Sequence, residues 1–234
     1  MQNNKDKLIL ALDTPDSKTA FKLLPPLEGL IHNVKVGPGL FIQEGPKLIE
    51  KLHKKGYRVF LDLKLHDIPN TVRLGVKGAK KLGVWMLSVH LLGGERMLRE
   101  ALGEAEGNPF LVGITVLTSL NGEDLNQMGV GRSPKEQVGL LAQMAKQVGL
   151  NGVVASPQET AMLRAKLGPK FILVTPGIRL PESSKDDQER TLSPLDALKA
   201  GADYLVIGRP ILEAPDPKQS LLSILGSIEE TKKS

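Results

Sequence analysis

The chain of 234 residues contains no cysteine. Disulfides, thiolate catalysis and zinc sites built on Cys are therefore excluded, and a reducing compartment is the natural setting. Aromatic residues make up only 3% of the chain, too few for the stacking platforms on which single-strand nucleic-acid binders lay their bases. Long apolar runs are missing as well. The N-terminal "MQNNKDKLILALD" carries five consecutive apolar residues, Leu8 to Leu12, before Asp13 interrupts them. That is shorter than a signal h-region or a membrane span. Positive charge is present but dispersed: the net charge is +5, yet no basic run exceeds two residues (Lys54-Lys55, Lys80-Lys81, Lys232-Lys233). Nucleic-acid binders concentrate their charge, and an anionic small molecule suits this basicity equally well. Low-complexity segments and linkers are absent too. The expectation is a soluble cytoplasmic protein, without membrane or nucleic-acid partners, folded as one domain over residues 1–234.

What is present is a recurring unit. A short apolar, β-branched run ends in a polar residue and is followed by a stretch of helical period. The runs are "KLILALD" (7–13), "NVKVG" (33–37), "RVFLDLK" (58–64), "WMLSVH" (85–90), "FLVGITVLT" (110–118), "GVVAS" (152–156), "FILVTPG" (171–177) and "YLVIGR" (204–209). Between them, "SPKEQVGLLAQMAKQVG" (133–149) repeats Val138, Leu141, Ala142, Ala145 and Val148 at the three-and-four spacing of an amphipathic helix. Ser133 supplies an N-cap, Pro134 a first helical position and Gly149 a stop. A doubly wound open sheet shares this alternation, but eight strand candidates favour a (β/α)8 barrel, for which roughly 250 residues is typical.

In a barrel, chemistry gathers at the C-terminal ends of the strands. Those ends read Asp13, Lys35, Asp62 with Lys64, His90, Thr118, Ser156, Arg179 just past the seventh strand, and Arg209. So many polar ends aimed at one mouth predict a site. Asp62 and Lys64 are two apart, which in a regular strand puts them on one face about 6.5 Å apart along the chain. Leu61, Leu63 and Leu65 then face the outer helices. A salt bridge on a solvated strand face would be the bland explanation, but parallel barrel strands are covered on both faces. Lys35, ending the neighbouring strand, adds a second ammonium beside Asp62. Each acid favours the charged form of its neighbouring base, so an immobilised ammonium here suits proton donation rather than Schiff-base chemistry. "VIGRP" (206–210) places Gly208 and Arg209 at the end of the eighth strand, the usual phosphate corner of such barrels. The long polar segment "TPGIRLPESSKDDQERT" (175–191) reads as a lid carrying Arg179 and Gln188 as further phosphate ligands.

With these residues in hand, the chain resembles the orotidine 5'-phosphate decarboxylase family. "FLDLKLHDIPNT" matches that family's Asp-x-Lys-x-x-Asp signature at Asp62, Lys64 and Asp67, followed by Ile-Pro-Asn-Thr. Related sugar-phosphate barrels share the three charged residues alone. The longer segment, joined in order to "LALD", "VKVG", "LTS", "TPGIR", "DDQ" and "IGRP", is far more specific. The resemblance implies that Lys64 protonates C6 of the pyrimidine as carbon dioxide leaves. Asp62 would sit against the substrate carboxylate, with Lys35 and Asp67 completing an alternating network. Asp13 and Lys35 would bind ribose hydroxyls, Thr118 would lie along the base, and Arg179, Gln188, Gly208 and Arg209 would hold the phosphate. Asp67, Ile68 and Thr71 would reach across a homodimer interface. No metal or organic cofactor is implied.

Residue chemistry fits that implication. Breaking the bond to carbon dioxide leaves an electron pair in the ring plane, where it cannot delocalise as in an enolate. A fixed ammonium in a dry pocket is the direct way to stabilise it. Sister barrels that act on sugar phosphates through a metal-bound enediolate would not need the phosphate lid. A non-catalytic nucleotide-binding module would not retain buried charges. His66 lies inside the signature without a task in the mechanism, so a structural hydrogen-bonding role is expected of it. For His90 a structural and a functional role stand level. Neither has a partner at metal-ligand spacing.

Overall fold

The computed structural model describes residues 4–178 and 192–229. Eight parallel strands close into a barrel in sequence order: β1 (Leu8–Ala11), β2 (Asn33–Val36), β3 (Arg58–Leu65), β4 (Met86–His90), β5 (Phe110–Ile114), β6 (Gly152–Val154), β7 (Ile172–Thr175) and β8 (Tyr204–Ile207), with β8 pairing back onto β1. Each connection carries helix: α1 (Ser17–Leu23), α2 (Pro38–Glu44), α3 (Pro46–Lys54), α4 (Pro69–Lys81), α5 (Gly94–Ala105), α6 (Gly122–Gln127), α7 (Pro134–Val148), α8 (Pro157–Leu167), α9 (Pro194–Lys199), the short α10 (Arg209–Leu212) and α11 (Pro217–Glu229). The (β/α)8 expectation therefore holds, and the open sheet is excluded.

Period-two alternation sorts the core into two layers. Leu8, Leu10, Val59, Leu61 and Leu111 face outward and pack with the inner stripes of the helices. Ile9, Ala11, Phe60, Met86, Val112, Val174, Tyr204 and Val206 face inward and fill the barrel. Phe60 is 1% exposed, a burial worth about 1.5–3 kcal/mol for a side chain of this kind. Over 133–149 the helix is built as its sequence dictates. Ser133 and Glu136 form a reciprocal capping box, Pro134 takes the first position, and Gly149 ends the helix at φ 97°.

Several strands stop earlier than their apolar runs suggest. The β1 run does not reach Asp13, β5 ends at Ile114 rather than Thr118, β6 at Val154 rather than Ser156, and β8 at Ile207 rather than Arg209. The ladder ends where pairing ends. Leu12 N–H to Lys35 O, Thr115 N–H to Val154 O and Ala155 N–H to Val174 O are the last rungs before the chain turns. The polar residues past these rungs therefore stand on connections above a rigid barrel, as site residues commonly do.

Strand β3 departs from regular geometry at the residue of most interest. Leu61 pairs with Leu87 and Leu65 with Val89, so four steps along β3 match two along β4. The extra length is a bulge, and within it Lys64 adopts φ 49°. Lys64 therefore reaches Asp62 from a bulged, left-handed backbone and not from a regular strand. Leu63 and Leu65 still pack against the outer core. A Cβ at Gly75 of α4 would come within 3.0 Å of Leu65 Cδ1, so the glycine admits this leucine.

Candidate active site

Asp62 is the centre of the charged row. It lies on the inward face of β3, 7% exposed, with Lys64 Nζ 2.9 Å from Oδ2 and Lys35 Nζ 3.5 Å from the same oxygen. Ser88 donates its hydroxyl to Oδ1 at 2.8 Å. Lys35 donates onward to Asp13 Oδ1 at 3.1 Å. Acid and base alternate as Asp13, Lys35, Asp62 and Lys64. Burial pushes the Asp62 carboxyl upward, but the Lys35 and Lys64 charges and the hydrogen bonds from Lys64 and Ser88 outweigh it, and the group is held below its ordinary value. An ionised carboxylate is thus fixed between two ammonium groups.

The left-handed backbone of Lys64 costs about 1–3 kcal/mol for a residue with a side chain. Its compensation is visible. Ser88 Oγ accepts the Lys64 N–H at 2.8 Å while donating to Asp62, so one hydroxyl fixes both members of the pair. Ser88 is not among the residues the sequence points to. Its signal was a hydroxyl at an inward position of the apolar run "WMLSVH", in register with Met86.

A cavity of about 430 Å³ opens above the row. Asp13, Lys35, Asp62, Lys64, Thr118, Gly208 and Arg209 all line it, so seven of the expected site residues meet in one space. Gly208 packs closely on β1, since a Cβ there would lie 3.3 Å from Ala11 Cβ. Ile114, Val116, Leu117 and Val206 give the cavity an apolar part of its lining. Glu213 also lines the cavity, a residue the sequence did not single out. It lies one helical turn beyond Arg209.

Other expected residues stand elsewhere. Within one chain Asp67 remains outside the row, and its carboxylate accepts the Ile68 N–H at 2.6 Å. Ile68 is 67% exposed and Thr71 is exposed, and neither borders the cavity. Arg179 and Gln188 lie outside the described residues. Two strand-end residues taken to face the mouth do not line the cavity. Ser156 is buried and gives its hydroxyl to Glu159, and His90 stacks on His66. The contact seen for His66 is that ring stack rather than the expected hydrogen bond.

Comparison with known proteins agrees with this geometry. A profile of the "Orotidine 5'-phosphate decarboxylase / HUMPS family" matches residues 6–224. The orotidine 5'-phosphate decarboxylase of Saccharophagus degradans is 48% identical over 221 residues, 93% of each chain. That of Hydrogenovibrio crunogenus is 47% identical over 225 residues, 95% of each. The crystal structure of the Lactobacillus acidophilus orotidine 5'-phosphate decarboxylase superposes with a TM-score of 0.84 at 38% identity, covering 95% of this chain and 99% of that one. The chain belongs to the orotidine 5'-phosphate decarboxylase / HUMPS family.

Proposed function

For this member of the family, we propose decarboxylation of orotidine 5'-phosphate to UMP and carbon dioxide, the closing step of UMP synthesis, performed without metal or organic cofactor. The observation that carries the reading is Asp62 held between Lys64 at 2.9 Å and Lys35 at 3.5 Å beneath an open cavity. In the reaction the bond between C6 and the carboxylate breaks, and its electron pair stays on C6. The Lys64 ammonium stabilises that charge and then transfers a proton to C6, and the resulting amine recovers a proton from solvent. Asp62, already ionised, sits where a substrate carboxylate would meet it, and departure of carbon dioxide relieves that encounter. The larger share falls to Lys64, because a preorganised ammonium needs no reorientation as charge develops.

The remaining roles follow the fold. Asp13 and Lys35, joined at 3.1 Å, suit ribose hydroxyls. Thr118 and the apolar wall suit the base. Gly208 and Arg209, with Arg179 and Gln188 of the 179–191 segment, suit the phosphate. Binding energy from that distant group can orient the ring. Asp67, Ile68 and Thr71 suit a two-fold homodimer in which each Asp67 completes its partner's row. Their exposure within a single chain supports this. We read residues 1–234 as one barrel domain working in the cytoplasm. No described helix is long and apolar enough to cross a membrane.

The test is incubation of purified protein with orotidine 5'-phosphate, following loss of orotate absorbance in the presence of chelator. Turnover is expected. A folded sample without it would overturn the reading, and activity abolished by chelator would move the protein to the metal-dependent side of the family. Sedimentation showing a fully active monomer would refute the shared Asp67.

A further inference from the structure

Beyond the Lys64 bulge, the exposed His66 just past β3 meets His90 at the end of β4. The His66 and His90 rings stack with centroids 5.0 Å apart and planes inclined by 18°. His66 also rests on Gly93, where a Cβ would lie 3.3 Å from His66 Cδ2 and would overlap Met97 Sδ. His90 in turn is fixed from its own side, since Nδ1 accepts the Leu92 N–H at 3.3 Å at the head of the Leu91–Gly93 turn. That acceptor role puts the proton of the neutral ring on Nε2.

These contacts bracket Lys64. Ser88 holds its N–H before the chain leaves the strand, and two residues later on each side His66 meets His90. A left-handed residue with a long side chain persists only where its surroundings over-determine it. The ladder resumes at Leu65, which pairs with Val89, and the ring stack adds a side-chain anchor one residue further along each strand. Neither imidazole borders the cavity, so neither is placed to touch substrate there.

We propose that the stacked His66–His90 pair is a positioning element for Lys64, clamping the β3 bulge so that the ammonium stays aimed at Asp62 and the cavity. The proposal rests on Lys64 being the proton donor. Loss of the stack shifts the ammonium without altering the phosphate and ribose contacts, so the defect falls on kcat and spares KM.

The test compares His66→Ala, His66→Phe and His90→Asn in the full chain with Lys64→Ala as reference. The measurements are steady-state turnover of orotidine 5'-phosphate, UMP affinity, sedimentation, and folding by the fluorescence of Trp85, the one tryptophan. His66→Ala is expected to lower kcat about tenfold or more, as displacement of a reacting group does. KM and UMP affinity should stay within about twofold of the parent. His66→Phe keeps a flat ring and should recover most of kcat. His90→Asn keeps an acceptor for Leu92 but loses the ring, and should resemble His66→Ala. If His66→Ala does not fold, His66→Phe and His90→Asn decide. Parent-like kcat in folded His66→Ala or His90→Asn would overturn the proposal. So would joint loss of kcat and KM without recovery in His66→Phe, or recovery of His66→Ala at raised protein concentration, which would mark a subunit contact. Turnover surviving in Lys64→Ala would instead remove the premise, and the proposal with it. Parent-like histidine variants beside an inactive Lys64→Ala would sink the proposal alone.

Discussion

The two ends of this barrel handle partly buried charge in opposite ways. At the floor, Arg164 of α8 donates to the carbonyls of Gly168, Phe171 and Gly201 and to Asp203 at 2.6–3.0 Å. Asp203 also accepts the Leu173 N–H at 2.7 Å. The guanidinium is spent on protein groups, and it ties the segments that enter β7 and β8 together. At the mouth, Asp62, Lys35 and Lys64 satisfy one another only in part and line a cavity. A charge whose hydrogen bonds are closed within the fold supports structure. A charge whose partners leave one side facing open space is available for chemistry.

The contrast breaks most visibly at Lys64. Lys64→Ala is expected to lower turnover by at least about 10⁴-fold, the combined scale of a lost general acid and a lost electrostatic donor. UMP affinity and thermal stability should change little, because the ammonium is partly solvated and the residues proposed to hold the phosphate are untouched. Comparable residual turnover would show that the proton comes from elsewhere. Arg164→Ala should do the reverse. Leaving Asp203 and three carbonyls short of a donor should cost about 3 kcal/mol of stability, read by denaturant titration. The molecules that remain folded should turn over normally. A large kcat defect in folded Arg164→Ala would erase the distinction between the two ends.

Ser88 sharpens the comparison, since it sits at the mouth yet acts as a structural tie. Ser88→Ala removes a donor from Asp62 and an acceptor from the Lys64 N–H. A buried group left unsatisfied costs about 1–3 kcal/mol. Here part of that loss should surface as lower kcat, about tenfold by misplacement of Lys64, with KM nearly unchanged. Ser88→Thr, which keeps the hydroxyl, should recover more activity than Ser88→Cys. An unaltered kcat in Ser88→Ala would mean that the Asp62–Lys64 pair holds its own geometry.

The barrel was legible because eight apolar runs spaced by helical periods are a direct record of buried parallel strands. The acidic and basic members of the site were legible for the same reason, since charge inside such a run has to be justified by a partner. The bulge was not. Leu61, Leu63 and Leu65 continue a period of two straight through it, and Lys64 is not a glycine that would announce φ 49°. The fifth strand was read too long because Val116 and Leu117 continue its apolar character. Those residues line the cavity rather than a ladder, and a sequence does not distinguish the two uses of an apolar side chain. Ser156 misled in the opposite sense. It is polar at a strand end, but its hydroxyl serves a buried Glu159 below the mouth.

The smallest expected effects concern pH, and they separate Asp62, which lines the cavity, from His90, which does not. Asp62 has its folded pKa lowered from 3.8. The unfolded chain therefore takes up this proton first as pH falls, so the contribution of Asp62 is complete above the ordinary value and lost as pH drops through the folded one. His90 also has a lowered pKa, from 6.5, through burial first and then the neighbouring His66 and Lys64. Here the unfolded state again binds more protons at a given pH, so stability should decline as pH falls below 6.5 and level off below the folded value. Denaturant titrations from pH 8 down to pH 5 should show this shallow decline in the parent. In His90→Asn it should be reduced, because the group that resists protonation is gone while the acceptor for Leu92 remains. An equal slope in both proteins would assign the decline to groups other than His90.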